Sequence, residues 1–97
     1  MLDKLIQVEK RFNELTAEMA SPEVASDYTK LAEYGRERSE LEPLVARYHA
    51  YREVLTQIEE ARALLEEDDP EMVELAQAEL DELEPAVERL EKGLKRM

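Results

Sequence analysis

The side chains able to do chemistry in this chain are almost all carboxylates: 25 Asp and Glu stand against 13 Lys and Arg, with a single histidine, His49, and no cysteine. Carboxylate pairs act as general acid and base only where a pocket drives their pKa values apart, and a thin helical chain offers little concavity for that. Without cysteine there is no disulfide framework, thiolate zinc site or cysteine nucleophile. A di-iron bundle needs Glu three residues before His on two helices, whereas Ala46 stands three before His49. The acidic stretches lack the alternating oxygen ligands and glycine of a calcium loop. There is no Gly-rich phosphate loop, nucleophile elbow or zinc motif. His49 is expected to face outward, because Tyr48 and Tyr51, three residues apart, pack together. The chain therefore reads as non-catalytic, with no cofactor, metal or small-molecule substrate.

What remains is charge and surface. The net charge of −12 is uneven: residues 59 to 84 hold twelve Asp or Glu against Arg62 alone, for −11. A field of that sign repels phosphate backbones. Its bland counterpart is a solvated helical face. Arg36, Arg38, Arg47 and Arg52 cluster further back along the chain, where they either pair with neighbouring acids or meet a phosphate or acidic protein surface. Phe12, Tyr34, Tyr48 and Tyr51 follow a helical seam, which points to core packing rather than to a platform for stacking bases.

Helices must position these groups. Two glycines, no tryptophan and a predominance of Ala, Leu, Glu, Lys, Arg and Gln is the composition of long helices. A first helix is expected over 2–20, with Leu5, Val8, Phe12, Leu15 and Met19 on one stripe. Ser21-Pro22-Glu23 stops it, the serine capping a short turn whose first position suits proline, and Asp27 can cap the next helix. That second helix, 28–66, is the longest, with Leu31, Tyr34, Arg38, Leu41, Val45, Tyr48, Leu55, Ile58 and Leu65 near its seam. Its roughly 39 residues would span about 58 Å. Pro43 removes a backbone donor inside it, so a kink is expected there, with a break as the alternative. Asp68-Asp69-Pro70-Glu71 closes it and opens a third helix, 70–96, where Ala76, Leu80, Leu83, Val87, Leu90 and Leu94 make a narrow seam interrupted at Pro85. The similar flanks of Pro43 and Pro85 are too short and biased to establish a duplication.

The resulting expectation is all-α: one domain over 1–97, of three long antiparallel helices with coiled-coil-like packing. The first covers the front half of the second, and the third folds back along its rear half. Glu66, Glu67, Asp68, Asp69 and Glu71 then lie at the hairpin tip. No apolar run approaches a membrane span, and the start lacks the layout of a signal peptide, which places the chain in the cytoplasm without a membrane partner. The ending Lys95-Arg96-Met97 suits a helix terminus but brings no cap or tail, which points to a piece of something longer.

Several stretches, in order, carry a resemblance. They are Met1-Leu2-Asp3-Lys4-Leu5 through Phe12-Asn13-Glu14-Leu15, Ser21-Pro22-Glu23-Val24 with Asp27, Ser39-Glu40-Leu41-Glu42-Pro43-Leu44-Val45, and Leu64-Leu65-Glu66-Glu67-Asp68-Asp69-Pro70-Glu71-Met72. Together they resemble the N-terminal domain of bacterial class-one peptide-chain release factors, the type that reads UAA and UAG. The resemblance implies a translation-termination protein that binds the ribosome and triggers peptidyl-tRNA hydrolysis. The family's Pro-x-Thr and Gly-Gly-Gln motifs do not occur here, so no catalytic residue carries over. In that family this domain reaches the stalk base of the large subunit, near a ribosomal protein and its rRNA. An acidic tip fits a basic protein there better than bare RNA.

Two other readings share these features. An unrelated coiled-coil adaptor or dimerisation module would self-associate through an exposed seam. The helical arm of a seryl-tRNA synthetase should be basic along its tRNA-facing surface, against which the −11 segment argues.

Overall fold

A computed structural model describes residues 2–96. The chain is all-α, with no strand among the described residues. Its elements are α1 (Leu2–Ala20), α2 (Pro22–Ala25), α3 (Tyr28–Leu64) and α4 (Pro70–Arg96). Four helices rather than the expected three are thus found among the described residues. The added one is the turn after Ser21, which closes far enough to count as a helix.

The junctions are built by side chains that substitute for missing backbone partners. Ser21 sits in extended conformation, and its Oγ accepts the Val24 N–H at 3.4 Å while Pro22 takes the first helical position. Val24 is buried, which holds the short turn down. Asp27 Oδ1 accepts the Lys30 N–H at 3.2 Å and so starts α3. Asp69 Oδ1 accepts the Glu71 N–H at 3.0 Å ahead of α4.

α3 ends at Leu64, two residues before the expected Glu66. There the hydrogen bonds tighten to three-residue spacing: Glu66 N–H reaches the Ala63 carbonyl and Glu67 N–H the Leu64 carbonyl, each at 3.2 Å. Such tightening satisfies final carbonyls at the cost of the α-helical register. α3 runs through Pro43 without a break, and α4 likewise through Pro85. Both prolines are exposed, where the carbonyl left without a partner can bond water.

The chain divides into two compact units, residues 1–46 and 47–97. Within the first, α1 pairs with the front of α3, and the pairing is antiparallel: Met19 lies beside Gly35, and Phe12 and Thr16 beside Arg38. Leu5, Leu15, Val24 and Val45 are buried among its described residues, with Leu15 fully so. Burial of a leucine to that degree contributes about 1.5–3 kcal/mol. Within the second unit, Ile58, Ala61 and Leu80 form a cluster onto which Val54, Leu65, Leu83 and Val87 pack. Residue numbers rise along α3 as their partners fall along α4, again an antiparallel hairpin.

Leu55 departs from the expected seam and is exposed, while Val54 takes the inward position. The expectation carried the three-four alternation straight through Tyr48. Instead the inward set runs Tyr48, Tyr51, Val54 and Ile58, with consecutive steps of three, which rotates the buried stripe around the helix.

Candidate functional site

The acidic turn presents Glu66, Glu67, Asp68, Asp69 and Glu71, all exposed. Asp69 is occupied as the cap of α4, and Glu71 in the first turn of that helix complements the positive end of its dipole. Glu66, Glu67 and Asp68 ride on a turn held by backbone bonds of its own. A hydrogen-bonded turn thus carries a set of solvent-facing carboxylates.

Of the four candidate arginines, Arg36 and Arg38 lie in the first unit and Arg47 and Arg52 in the second. Arg38 Nε donates to Thr16 Oγ1 at 2.8 Å, and its guanidinium lies 4.4 Å from the centre of the Phe12 ring. Arg47 Nη1 donates to the Gly93 carbonyl at 3.4 Å. The Arg52 guanidinium lies 5.2 Å from the Tyr48 ring centre. Arg38 and Arg47 thus each contact a neighbouring helix and Arg52 a ring on its own helix, while Arg36, Arg47 and Arg52 are all exposed.

Two polar contacts escaped the sequence reading. Arg11 forms a two-point pair with Glu37, Nε to Oε2 and Nη2 to Oε1, the latter 3.1 Å. The hydrogen bond from the Arg11 guanidinium pulls the Glu37 carboxyl below its ordinary value, and the same bond raises Arg11. In the second unit Tyr51 Oη donates to Glu91 Oε1 at 3.1 Å. Burial first, then that bond and the Glu91 charge, push the Tyr51 phenol up. Both pairs are 26 or more residues apart in sequence, beyond local spacing rules.

Leu75 is an apolar side chain that lies off the expected seam of α4. It is 68% exposed, against 4% for Leu80 and 5% for Leu94 on the same helix. With Glu71, Glu74 and Ala78 it lines an open depression of about 380 Å³. A sequence signal existed: Leu75 precedes Ala76, which is 1% exposed, and adjacent helical residues point about 100° apart.

Among the described residues no group of three or more His, Asp or Glu is placed to hold a metal ion. His49 is exposed, its ring centre 6.4 Å from that of Tyr48. No helix among the described residues is long and apolar enough to cross a membrane. The arrangement offers recognition by charge and shape.

A helical chain whose exposed chemistry is an acidic turn on a hairpin is defined by its surfaces. Residues 8–97 match the family model of the PCRF domain, and the chain belongs to that family. It is similar to peptide chain release factor 1 of Anaeromyxobacter sp. (strain Fw109-5), 44% identical over 95 residues, which covers 98% of this chain and 26% of that protein. The corresponding proteins of Oceanobacillus iheyensis and Geobacillus sp. (strain WCH70) are 42% and 43% identical over 96 residues, with 98% of this chain and 27% of each protein covered. The chain thus spans about a quarter of the length of these relatives. These alignments cover nearly the whole chain. No solved structure matches.

Proposed function

We propose that this chain is the N-terminal docking domain of a peptide-chain release factor, acting in translation termination at UAA and UAG codons. The observation that carries the reading is similarity to release factor 1 proteins over 98% of the chain. The domain is proposed as non-catalytic and cytoplasmic, working by placing the factor on the ribosome while other parts read the codon and release the peptide. Its 97 residues are taken as one functional domain of a longer protein. Coiled-coil packing along the seams and a bend at Pro43 belong to the same proposal.

The acidic turn, Glu66 to Glu71, is the proposed contact with a basic protein at the stalk base of the large subunit, where rRNA lies nearby. Complementary charge there would speed encounter and fix orientation. Arg36 is the candidate second contact; Arg38, Arg47 and Arg52 have packing roles that compete with one. The adaptor reading is not favoured, since it gives no reason for similarity to release factors along the whole chain.

The test is ribosome binding by the full-length factor carrying charge reversals at Glu66, Glu67, Asp68 and Glu71, alongside a variant with Arg36→Ala, Arg38→Ala, Arg47→Ala and Arg52→Ala. The first is expected to lower affinity at least tenfold, chiefly through slower association at low salt. Unchanged affinity in both variants would overturn the docking assignment. A native chain that sediments as a dimer and does not bind ribosomes would favour the adaptor.

A further inference from the structure

We infer that Leu75, rimmed by Glu71 and Glu74, is the apolar anchor of a contact with a basic amphipathic protein helix, one whose lysines or arginines flank an apolar stripe. The inference rests on the docking reading above and names the chemistry of the partner.

Single exposed leucines are ordinary on protein surfaces. Leu75 differs in its setting. It shares an open depression with Ala78 and two carboxylates, and Met72, three residues before it and 38% exposed, extends the apolar surface. The inward stripe of α4, Ala76, Leu80 and Leu94, is buried without it. Leu75 therefore contributes little to the core.

The surroundings select the occupant. Twelve acids against one base over residues 59 to 84 repel a phosphate backbone, which disfavours RNA as the direct ligand of this spot. Lysine and arginine carry aliphatic stems behind their charged heads, so they can cover Ala78 and Met72 while reaching Glu71 and Glu74. An apolar centre with a charged rim is also the usual anatomy of a binding hot spot, where the rim excludes water from the anchor. A contact made by charge alone fades as salt rises, whereas one anchored by Leu75 keeps a salt-resistant part.

The experiment uses the ¹⁵N-labelled chain and two synthetic helical peptides of equal length and charge. One carries a leucine stripe between its lysines and arginines, and the other carries serine at those positions. An oligouridine serves as the nucleic-acid probe. At about 0.3 M salt, where the screening length falls well below 10 Å, the leucine peptide is expected to bind about tenfold tighter than the serine peptide and to shift the amides of Glu71 to Ala78. Leu75→Ser, a surface change whose fold is checked by circular dichroism, should erase that difference. Glu71→Gln with Glu74→Gln should weaken both peptides. Equal binding of the two peptides, a leucine advantage that survives Leu75→Ser, or the same amide shifts with oligouridine would overturn the proposal.

Pelleting with large ribosomal subunits separates this inference from the docking reading. A chain that discriminates the peptides but does not bind subunits keeps the anchor and loses the docking role. A chain that binds subunits, unaffected by Leu75→Ser and blind to the leucine stripe, keeps the docking role and loses the anchor.

Discussion

Arg38 clamps Phe12 from the neighbouring helix: its guanidinium lies 4.4 Å from the ring centre, and its Nε donates to Thr16 Oγ1, which donates in turn to the Phe12 carbonyl. One cation thereby holds both the side chain and the backbone of a single turn of α1. Arg38→Ala is expected to cost about 2 kcal/mol, the low end of a cation–π contact at an exposed site plus a charge-assisted hydrogen bond. Arg38→Lys should recover less than half, because an ammonium cannot lie flat on the ring and reach the hydroxyl together. Urea unfolding of the three proteins decides it, and equal midpoints would remove the clamp from the stability account.

Leu15 is the fully buried side chain of the first unit, and Ile58 anchors the cluster of the second. Leu15→Ala is expected to destabilise by about 3 kcal/mol and Ile58→Val by about 1 kcal/mol. Domains of this size are stable by about 5–15 kcal/mol, so both variants should remain folded at room temperature. A Leu15→Ala loss below that of Ile58→Val would show that the first unit relaxes into the space.

Two groups are shifted from their ordinary values in opposite directions. The Tyr51 phenol is raised by burial and by Glu91, so its contribution is complete below the ordinary value of 10.0 and is lost as pH rises through the folded value. The alkaline fall in unfolding midpoint should therefore be steeper in the native protein than in Tyr51→Phe. Equal slopes would contradict this.

Glu37 is held below 4.5 by Arg11, so its contribution is present above that pH and is lost as pH falls through the folded value. The pair is solvent-exposed, so its effect on stability should be small. The sharper readout is the Glu37 carboxyl resonance, whose midpoint should move up in Arg11→Gln. A midpoint that stays put would show that Arg11 does not hold it in solution.

No glycine in the described chain has positive φ, and neither Gly35 nor Gly93 is crowded. A Cβ on Gly35 would lie 3.5 Å from Met19 Cε, and one on Gly93 would lie 3.6 Å from Arg47 Nη1, both ordinary contacts. Gly35→Ala and Gly93→Ala should each stabilise by about 0.5–1 kcal/mol through helix propensity. Thermal unfolding would show it, and a loss at Gly35 would mean that Met19 needs the space.

Helix starts were legible because capping is local: Ser21, Asp27 and Asp69 each declare a terminus within three residues of themselves. The stripes of α1 and α4 were legible for the same reason, since each faces one partner with one periodicity. α3 was harder, because a change of step near Tyr51 put Val54 inside and Leu55 outside, and nothing local marks that change. The end of α3 was blurred by three-residue bonds that sequence does not announce. At the candidate site the acids stood where expected, exposed on their turn. Charge alone does not reveal which cations lie against a ring or carbonyl of another helix, as Arg38 and Arg47 do, whereas Arg52 and Tyr48 are four residues apart on α3.

The division of the chain at Ala46 and Arg47 carries a consequence for its synthesis. Antiparallel pairing of neighbouring helices keeps contacts short in sequence, a topology that folds quickly. The contacts of the first unit lie within its own 46 residues, so they can form before α4 has been translated. Growing from the ribosome, the chain can close one hairpin while the acidic turn and the leucines of α4 are still unmade.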